Sequence, residues 1–254
     1  MNVIVCVKQI PDPALPGELD ADNTLKRDGK LILDESDSYG VEMALQLVGA
    51  AGDGAVTLVS MAPNDEVSGL RTALAMGAEK AVLVSDPSLA GADALTTPKV
   101  LAGAVGKGGD YDLVIAGTES SDGYTGTVPA QLAEVLGLPS VTLAKTIAVD
   151  SGTVKVDRQT EAGYDEVTCS LPAVVSVTAG VVEPRYPSFK GIMAAKSKPV
   201  ETVTAADLGI ESASWAQSIT NVEDAPEREA GEIIEDDGET FNKIVEFLDN
   251  LKVI

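Results

Sequence analysis

The sequence predicts an α/β fold: a doubly wound, mostly parallel sheet with helices on both faces, plus a β-hairpin and an extended C-terminal arm. Two patterns carry the prediction. Short apolar runs rich in Val, Ile and Leu recur at 3–7, 55–60, 81–84 and 113–116 without polar alternation, as expected of strands covered by helices on both faces. Stretches with helical spacing lie between them, and strands alternating with helices imply right-handed crossovers within one sheet. A chain of 254 residues fits one large α/β domain, or one domain with an appendage.

In order, the run 3–7 opens the chain. A helix is expected over 39–48, with Val41, Ala44, Leu45 and Val48 on one face. The second run is followed by a helix at 67–76, with Leu70, Ala73 and Leu74 inward. The third is followed by 97–105, where Pro98 suits a first helical turn because no amide is needed there. The fourth leads into a helix at 127–136. After about residue 138 the pattern changes: 153–158 and 164–170 read as an antiparallel hairpin joined through 159–163, and 173–178 as a strand returning to the core. From 201 to 240 the only basic residue is Arg228 in an otherwise acidic stretch, too poor in apolar residues for its own core. It reads as disordered or as an extended arm lying on a partner. At 241–251, Phe241, Ile244, Val245, Leu248 and Leu251 recur at helical spacing, and such a helix needs something to pack against.

Composition removes several functions. There is no His, so Ser-His-Asp and Cys-His nucleophilic machinery and every His-ligated metal site are excluded. With 18 basic and 40 acidic residues, a net charge of -22 argues against sequence-independent nucleic-acid binding. Cys6 and Cys169 lie far apart in apolar runs and read as reduced core residues. The opening segment lacks a basic n-region, and no run approaches the roughly 20 apolar residues that span a bilayer. A soluble, cytoplasmic protein without membrane insertion is expected. The paired carboxylates Asp34/Asp37 and Asp236/Asp237 match no calcium loop and read as solvated, and no nucleophile has a base beside it, so neither metal nor catalytic residues are expected.

The strongest local candidate for binding is the stretch 116–129, which follows a predicted strand and enters a helix. Strand ends of this kind are where open α/β sheets take ligands. Gly117, Gly123 and Gly126 permit close backbone approach, and Ser121, Thr125 and Thr127 offer hydroxyls. The first amides of the next helix, from Val128 on, present partial positive charge to a phosphate. No Lys lies inside the loop, which suits a nucleotide that is held and not transferred. A plain Gly-rich turn with capping hydroxyls is the alternative. Asp34, Glu35, Ser36 and Asp37 lie with Ser38 just before the first helix; Asp37 or Ser38 suits its cap, and the same loop suits the base or ribose of a nucleotide. Met61, with Ala62 and Pro63, ends the second strand on the same side, as a ligand contact or a plain turn.

The stretch 182–199 concentrates four of the chain's cations, Arg185, Lys190, Lys196 and Lys198, around Tyr186, Phe189, Ile192 and Met193. Pro184, Pro187 and Gly191 break regular structure there. Apolar anchors within a charged rim suit docking on another protein; an ordinary loop leading into a short helix is the alternative.

Several of these motifs bring a family into view. The opening Met1-Asn-Val-Ile-Val-Cys-Val-Lys-Gln-Ile-Pro-Asp-Pro13 resembles that of electron transfer flavoprotein β subunits. So do Arg71-Thr-Ala-Leu-Ala-Met-Gly-Ala-Glu-Lys80, the glycine loop 117–129, the segment 154–178 with Arg158, Glu161 and Gly163, and the docking stretch 182–199. The resemblance runs nearly end to end. It implies an adenine-nucleotide α-hydrolase-like domain over 1–200 and a C-terminal arm over 201–254 packing on an α subunit. It implies FAD held mainly by that subunit. By motif position, AMP falls on Cys6, Asp34–Asp37, Met61 and 117–128, with its phosphate near Gly123, Thr125, Gly126 and Thr127. It also implies electrons taken from acyl-CoA or other flavin dehydrogenases and passed to a membrane quinone oxidoreductase, by a carrier subunit and not a stand-alone enzyme. The docking anchor, usually Leu, corresponds to Phe189, and Lys190 replaces the proline after it. Two alternatives stand beside this: a bifurcating β subunit with a second FAD reduced by NADH, and a non-redox nucleotide-binding signalling protein of similar fold.

Overall fold

The computed structural model describes residues 1–210, 217–223, 225–227, 230–231, 233–235 and 238–254. Of the acidic stretch, Glu211, Asp224, Arg228, Glu229, Glu232, Asp236 and Asp237 lie outside the described residues. The chain divides into two units, Met1–Thr220 and Asn221–Ile254.

In the first unit the elements run β1 (Val3–Cys6), β2 (Gln9–Pro11), β3 (Leu31–Leu33), α1 (Glu35–Ala51), β4 (Val56–Ala62), α2 (Ser68–Met76), β5 (Lys80–Ser85), α3 (Thr97–Gly108), β6 (Leu113–Gly117) and α4 (Val128–Leu136). They continue with β7 (Ser140–Asp150), β8 (Thr153–Thr160), β9 (Gly163–Ser170), β10 (Ala173–Val177), α5 (Phe189–Ala195) and β11 (Val200–Val203). The second unit contains α6 (Thr240–Asn250).

The main sheet has nine strands in the order β11-β5-β4-β1-β6-β10-β7-β8-β9, parallel from β11 to β7 and antiparallel through β8 and β9. The α/β expectation holds. Its physical basis is visible in β1: Val3 and Val5 belong to one core, Ile4 and Cys6 to the other. The same alternation splits Ala81 and Leu83 from Val82 and Val84, and Leu113 and Ile115 from Val114 and Ala116. Helix α1 covers one face over β1 and β6; α3 covers the other over β4 and β5. From β1 the chain builds outward through β4 and β5, then returns to add β6 on the other side of β1. This reversal of strand order puts the crevice of the sheet beyond the carboxyl ends of β1 and β6.

Several elements differ from the sequence expectation. The hairpin strands are longer than foreseen, Thr153–Thr160 and Gly163–Ser170, which leaves only Glu161 and Ala162 between them. Strand β7 was not foreseen; it pairs parallel to β10 and antiparallel to β8. The small antiparallel pair β2 and β3 was also unforeseen. The expected start of the arm at 201 falls inside the first unit, because Val200–Val203 pairs parallel to Ala81–Val84 at the edge of the main sheet. Within the docking stretch, Ser188 caps a short helix by accepting from the Gly191 amide at 3.0 Å. Among the described residues no helix is long and apolar enough to cross a membrane.

Candidate functional site

A cavity of about 990 Å³ opens at the strand-order reversal. Its walls include Cys6, Val7 and Lys8 at the end of β1, Met61 to Asn64 at the end of β4, and Ala116 to Ser120 at the end of β6. Of the sequence candidates, Cys6, Asp37, Met61, Gly117, Gly123, Thr125, Gly126 and Val128 face it. Loop residues 20–28 supply Asp20, Thr24, Arg27 and Asp28, and the segment after β5 supplies Leu89, Asp93 and Thr97.

Asp34, Glu35, Ser36 and Thr127 do not line the cavity. Asp34 is fully buried, not solvated, and it caps α1 in place of Asp37 or Ser38 because the helix starts earlier, at Glu35: one carboxylate oxygen accepts from the Ser36 amide and hydroxyl at 3.1 and 2.9 Å. Its other oxygen accepts from the Ser121 amide and hydroxyl at 2.8 and 3.1 Å. The Ser36 hydroxyl also reaches the Glu119 carbonyl at 3.1 Å. Asp34 and Ser36 therefore stitch the glycine loop to the start of α1, which is the capping role extended across 87 residues of sequence. Glu35 is exposed in the first turn, where a carboxylate complements the helix dipole. Thr127 precedes α4 and accepts from the Gln131 side chain at 2.9 Å.

Asp37 is buried and accepts the Lys8 amide at 2.5 Å. Burial pushes its carboxyl up to about 8, with nearby Asp34 adding to the rise and the Lys8 and Gly117 amides opposing it. Burial, with Asp37 next to it, pushes the Cys6 thiol up to about 12, so it stays protonated and unreactive.

Three functional candidates escaped sequence reasoning. Lys8 donates to Asp122 at 2.6 Å and to the Ser120 hydroxyl at 3.1 Å, and Arg27 pairs with the other oxygen of Asp122. Burial alone would raise the Asp122 carboxyl, but the Lys8 and Arg27 charges and hydrogen bonds hold it below the usual carboxylate range. Lys8 lies two residues past the end of β1, so the strand-end rule was the available signal; Arg27 sits in a loop with none. Both cations line the cavity. A β-carbon on Gly123 would stand 2.9 Å from the Ser120 hydroxyl oxygen and 3.7 Å from the Lys8 ammonium, so the bare glycine lets the loop close over Ser120 beside a positive charge. Among the described residues no group of three or more His, Cys, Asp or Glu side chains is placed to hold a metal ion.

The docking stretch forms a separate surface. Phe189 is 79% exposed, and Ile192, Met193, Lys190 and Lys196 are also exposed. Arg185 and Lys198 have partners within the chain instead: Arg185 pairs with Glu42, and Lys198 donates to the Leu74 and Ala78 carbonyls.

Together these features define an α/β protein with a ligand-sized cavity at the reversal of its sheet and a separate, apolar surface helix. Residues 22–208 match the family model of the electron transfer flavoprotein domain. The chain is 40% identical over 264 residues to the electron transfer flavoprotein subunit beta of Mycobacterium bovis, covering 100% of this chain and 99% of the relative. It is 41% identical over 264 residues to that of Mycobacterium leprae, with the same coverage. It is 33% identical over 270 residues to that of Megasphaera elsdenii, covering 100% of both. The chain belongs to the electron transfer flavoprotein β-subunit family.

Proposed function

We propose that this chain is the β subunit of a heterodimeric electron carrier that works in the cytoplasm. It takes electrons from acyl-CoA or other flavin dehydrogenases and passes them to a membrane quinone oxidoreductase. The observation that carries this reading is the end-to-end match to named β subunits in a chain that also has a nucleotide-sized cavity at its strand ends. The flavin, held mainly by the α subunit, supplies the redox chemistry. This chain's residues hold a structural AMP and present α5 to the donor. Lys8 and Arg27 supply positive charge for a phosphate on the Gly123–Thr127 turn, where the Thr125 hydroxyl and the amides beyond Tyr124 offer donors.

A second reading is favoured by the cavity's size. About 990 Å³ sits near the top of the roughly 300–1,000 Å³ range of small-molecule sites, which leaves room for an FAD in the manner of a bifurcating subunit. Nucleotides released by denaturing the purified heterodimer separate the readings. AMP with one FAD supports the first, two FADs support the second, and a nucleotide without flavin marks a non-redox protein. Gly126→Val tests the phosphate turn: Gly126 sits at φ +63°, and a β-carbon there stands 3.3 Å from the Glu119 carboxylate. If the variant releases as much AMP as wild type, the phosphate lies elsewhere.

A further inference from the structure

Helix α5 cannot hold itself in place. It has seven residues, and only Ala195 is buried, whereas isolated helices shorter than about 12–15 residues are marginal in water. Its support comes from α2. The Arg71 guanidinium, through Nη1, donates to the Ala195 carbonyl at 2.7 Å and the Lys198 carbonyl at 2.6 Å. In return, the Lys198 ammonium donates to the Leu74 carbonyl at 2.9 Å and the Ala78 carbonyl at 2.6 Å. Each segment thus places a cation on carbonyls at or just beyond the other's C-terminal end, where the helix dipole favours positive charge. The packing is close enough that a β-carbon on Gly191 would overlap the Ala75 carbonyl oxygen.

This clasp bears on Phe189, Ile192 and Met193, which are 79, 48 and 51% exposed and lie three and four residues apart on one helical face. An exposed apolar face on a mobile loop loses ordering entropy when it docks; one held in its bound geometry does not. We propose that Arg71 is a positioning residue for partner docking: it fixes α5 so that Phe189, Ile192 and Met193 face the donor in one orientation. The inference rests on reading α5 as the dehydrogenase-docking element. Arg71 touches no partner in this role. It suits the role because its permanently charged group directs both hydrogens of Nη1 to two carbonyls at once.

The test uses the heterodimer, with an acyl-CoA dehydrogenase as donor, and compares Arg71→Gln, Arg71→Lys, Lys198→Met and Phe189→Ala. Arg71→Gln should speed amide exchange in α5 roughly tenfold or more. It should also raise the dehydrogenase's KM for the carrier roughly tenfold, about 1.4 kcal/mol, at constant kcat. Arg71→Lys should restore part of the loss, and Lys198→Met should produce a similar local loosening. Phe189→Ala should raise KM without changing exchange. Unchanged α5 exchange in Arg71→Gln overturns the inference. So does equal loosening of β1, β4 and β6, which would make Arg71 a support of the whole fold. Loosened α5 with unchanged KM, where Phe189→Ala still raises KM, overturns it while the docking reading survives. Unchanged KM in both variants sinks the docking reading and the inference with it.

Discussion

Glu42, buried in α1, accepts two side-chain hydrogen bonds from Arg185: Nε to one carboxylate oxygen at 2.5 Å and Nη2 to the other at 2.9 Å. Gln46 adds a third at 2.9 Å. This fork ties the chain just before α5 to the helix that starts at the cavity. Burial works against the Glu42 charge, but the Arg185 and Gln46 hydrogen bonds outweigh it and hold the carboxyl below its ordinary range.

Arg185→Met leaves that carboxylate buried without its cation. Because Arg185 itself is half exposed, the loss should fall between that of an exposed pair and that of a buried one, about 2 kcal/mol at pH 7. A carboxyl with a lowered folded pKa stabilises above its unfolded value, near pH 4.5, and loses this as pH falls through the folded value. The wild-type advantage should therefore shrink in acid. Chemical denaturation of both proteins at pH 7 and pH 4 measures this; an equal gap at both pH values would count against the pairing.

Asp122 joins Lys8 to Arg27 at the cavity wall. Asp122→Asn keeps the shape and removes the charge that holds both cations. The glycine loop should loosen, and less AMP should copurify. Its lowered carboxyl pKa places the lost stability above the ordinary range near pH 3.8. AMP content by chromatography after denaturation, compared with wild type at pH 7, is the readout. Full retention would mean that Asp34 and Ser36 hold the loop without Asp122.

Asp37 has the opposite sign. Folded, its carboxyl keeps its proton to about pH 8, whereas in the unfolded chain it ionises near 3.8. Between these values the folded state binds more protons, so this group's contribution to stability falls as pH rises. Asp37→Asn has no proton to lose and should lack that slope. Thermal melts at pH 5 and pH 8.5 should show wild type losing ground to Asp37→Asn. Parallel behaviour would mean that Asp37 is ionised in the fold.

Legibility followed burial and local spacing. The runs at 3–7, 55–60, 81–84 and 113–116 were readable because both faces of those strands are buried, which leaves an unbroken apolar signal. Strand β7 carries Thr142, Lys145 and Thr146 over a partly exposed surface, so no such signal exists. Strands β2 and β3 have three residues each, too few for any period. Strand β11 hid because Glu201 and Thr202 face solvent at the sheet edge. The glycine loop and Asp37, which line the cavity, were legible as candidates because they sit at strand ends and helix starts. The Lys8–Asp122–Arg27 network was not: its members meet across 114 and 95 residues, with no local pattern linking them. The Arg71–Lys198 clasp was hidden for the same reason, across 127 residues. Lys198 illustrates the limit, since composition counted it with the exposed cations and only its carbonyl partners reveal a structural role.

Helix α6 supplies the last prediction. Phe241, Ile244, Val245, Phe247 and Leu251 are exposed in the second unit, and within the helix only Thr240 is buried. Phe241, Ile244, Leu248 and Leu251 follow the three-and-four spacing of a single apolar stripe. Such a stripe in an acidic segment gains stability only by burial against something else, and the α subunit is the partner that the family assignment supplies. Ile244→Asp should weaken assembly by about 2 kcal/mol, the cost of losing one buried aliphatic side chain, or roughly thirtyfold in Kd. The cavity proposed for AMP belongs to the first unit, so nucleotide content should not change. Titration of the α subunit against wild type and variant gives the affinity, and amide exchange across 240–250 with and without the α subunit gives the location. Unchanged affinity together with unchanged exchange on adding the α subunit would rule out α6 as part of the heterodimer contact.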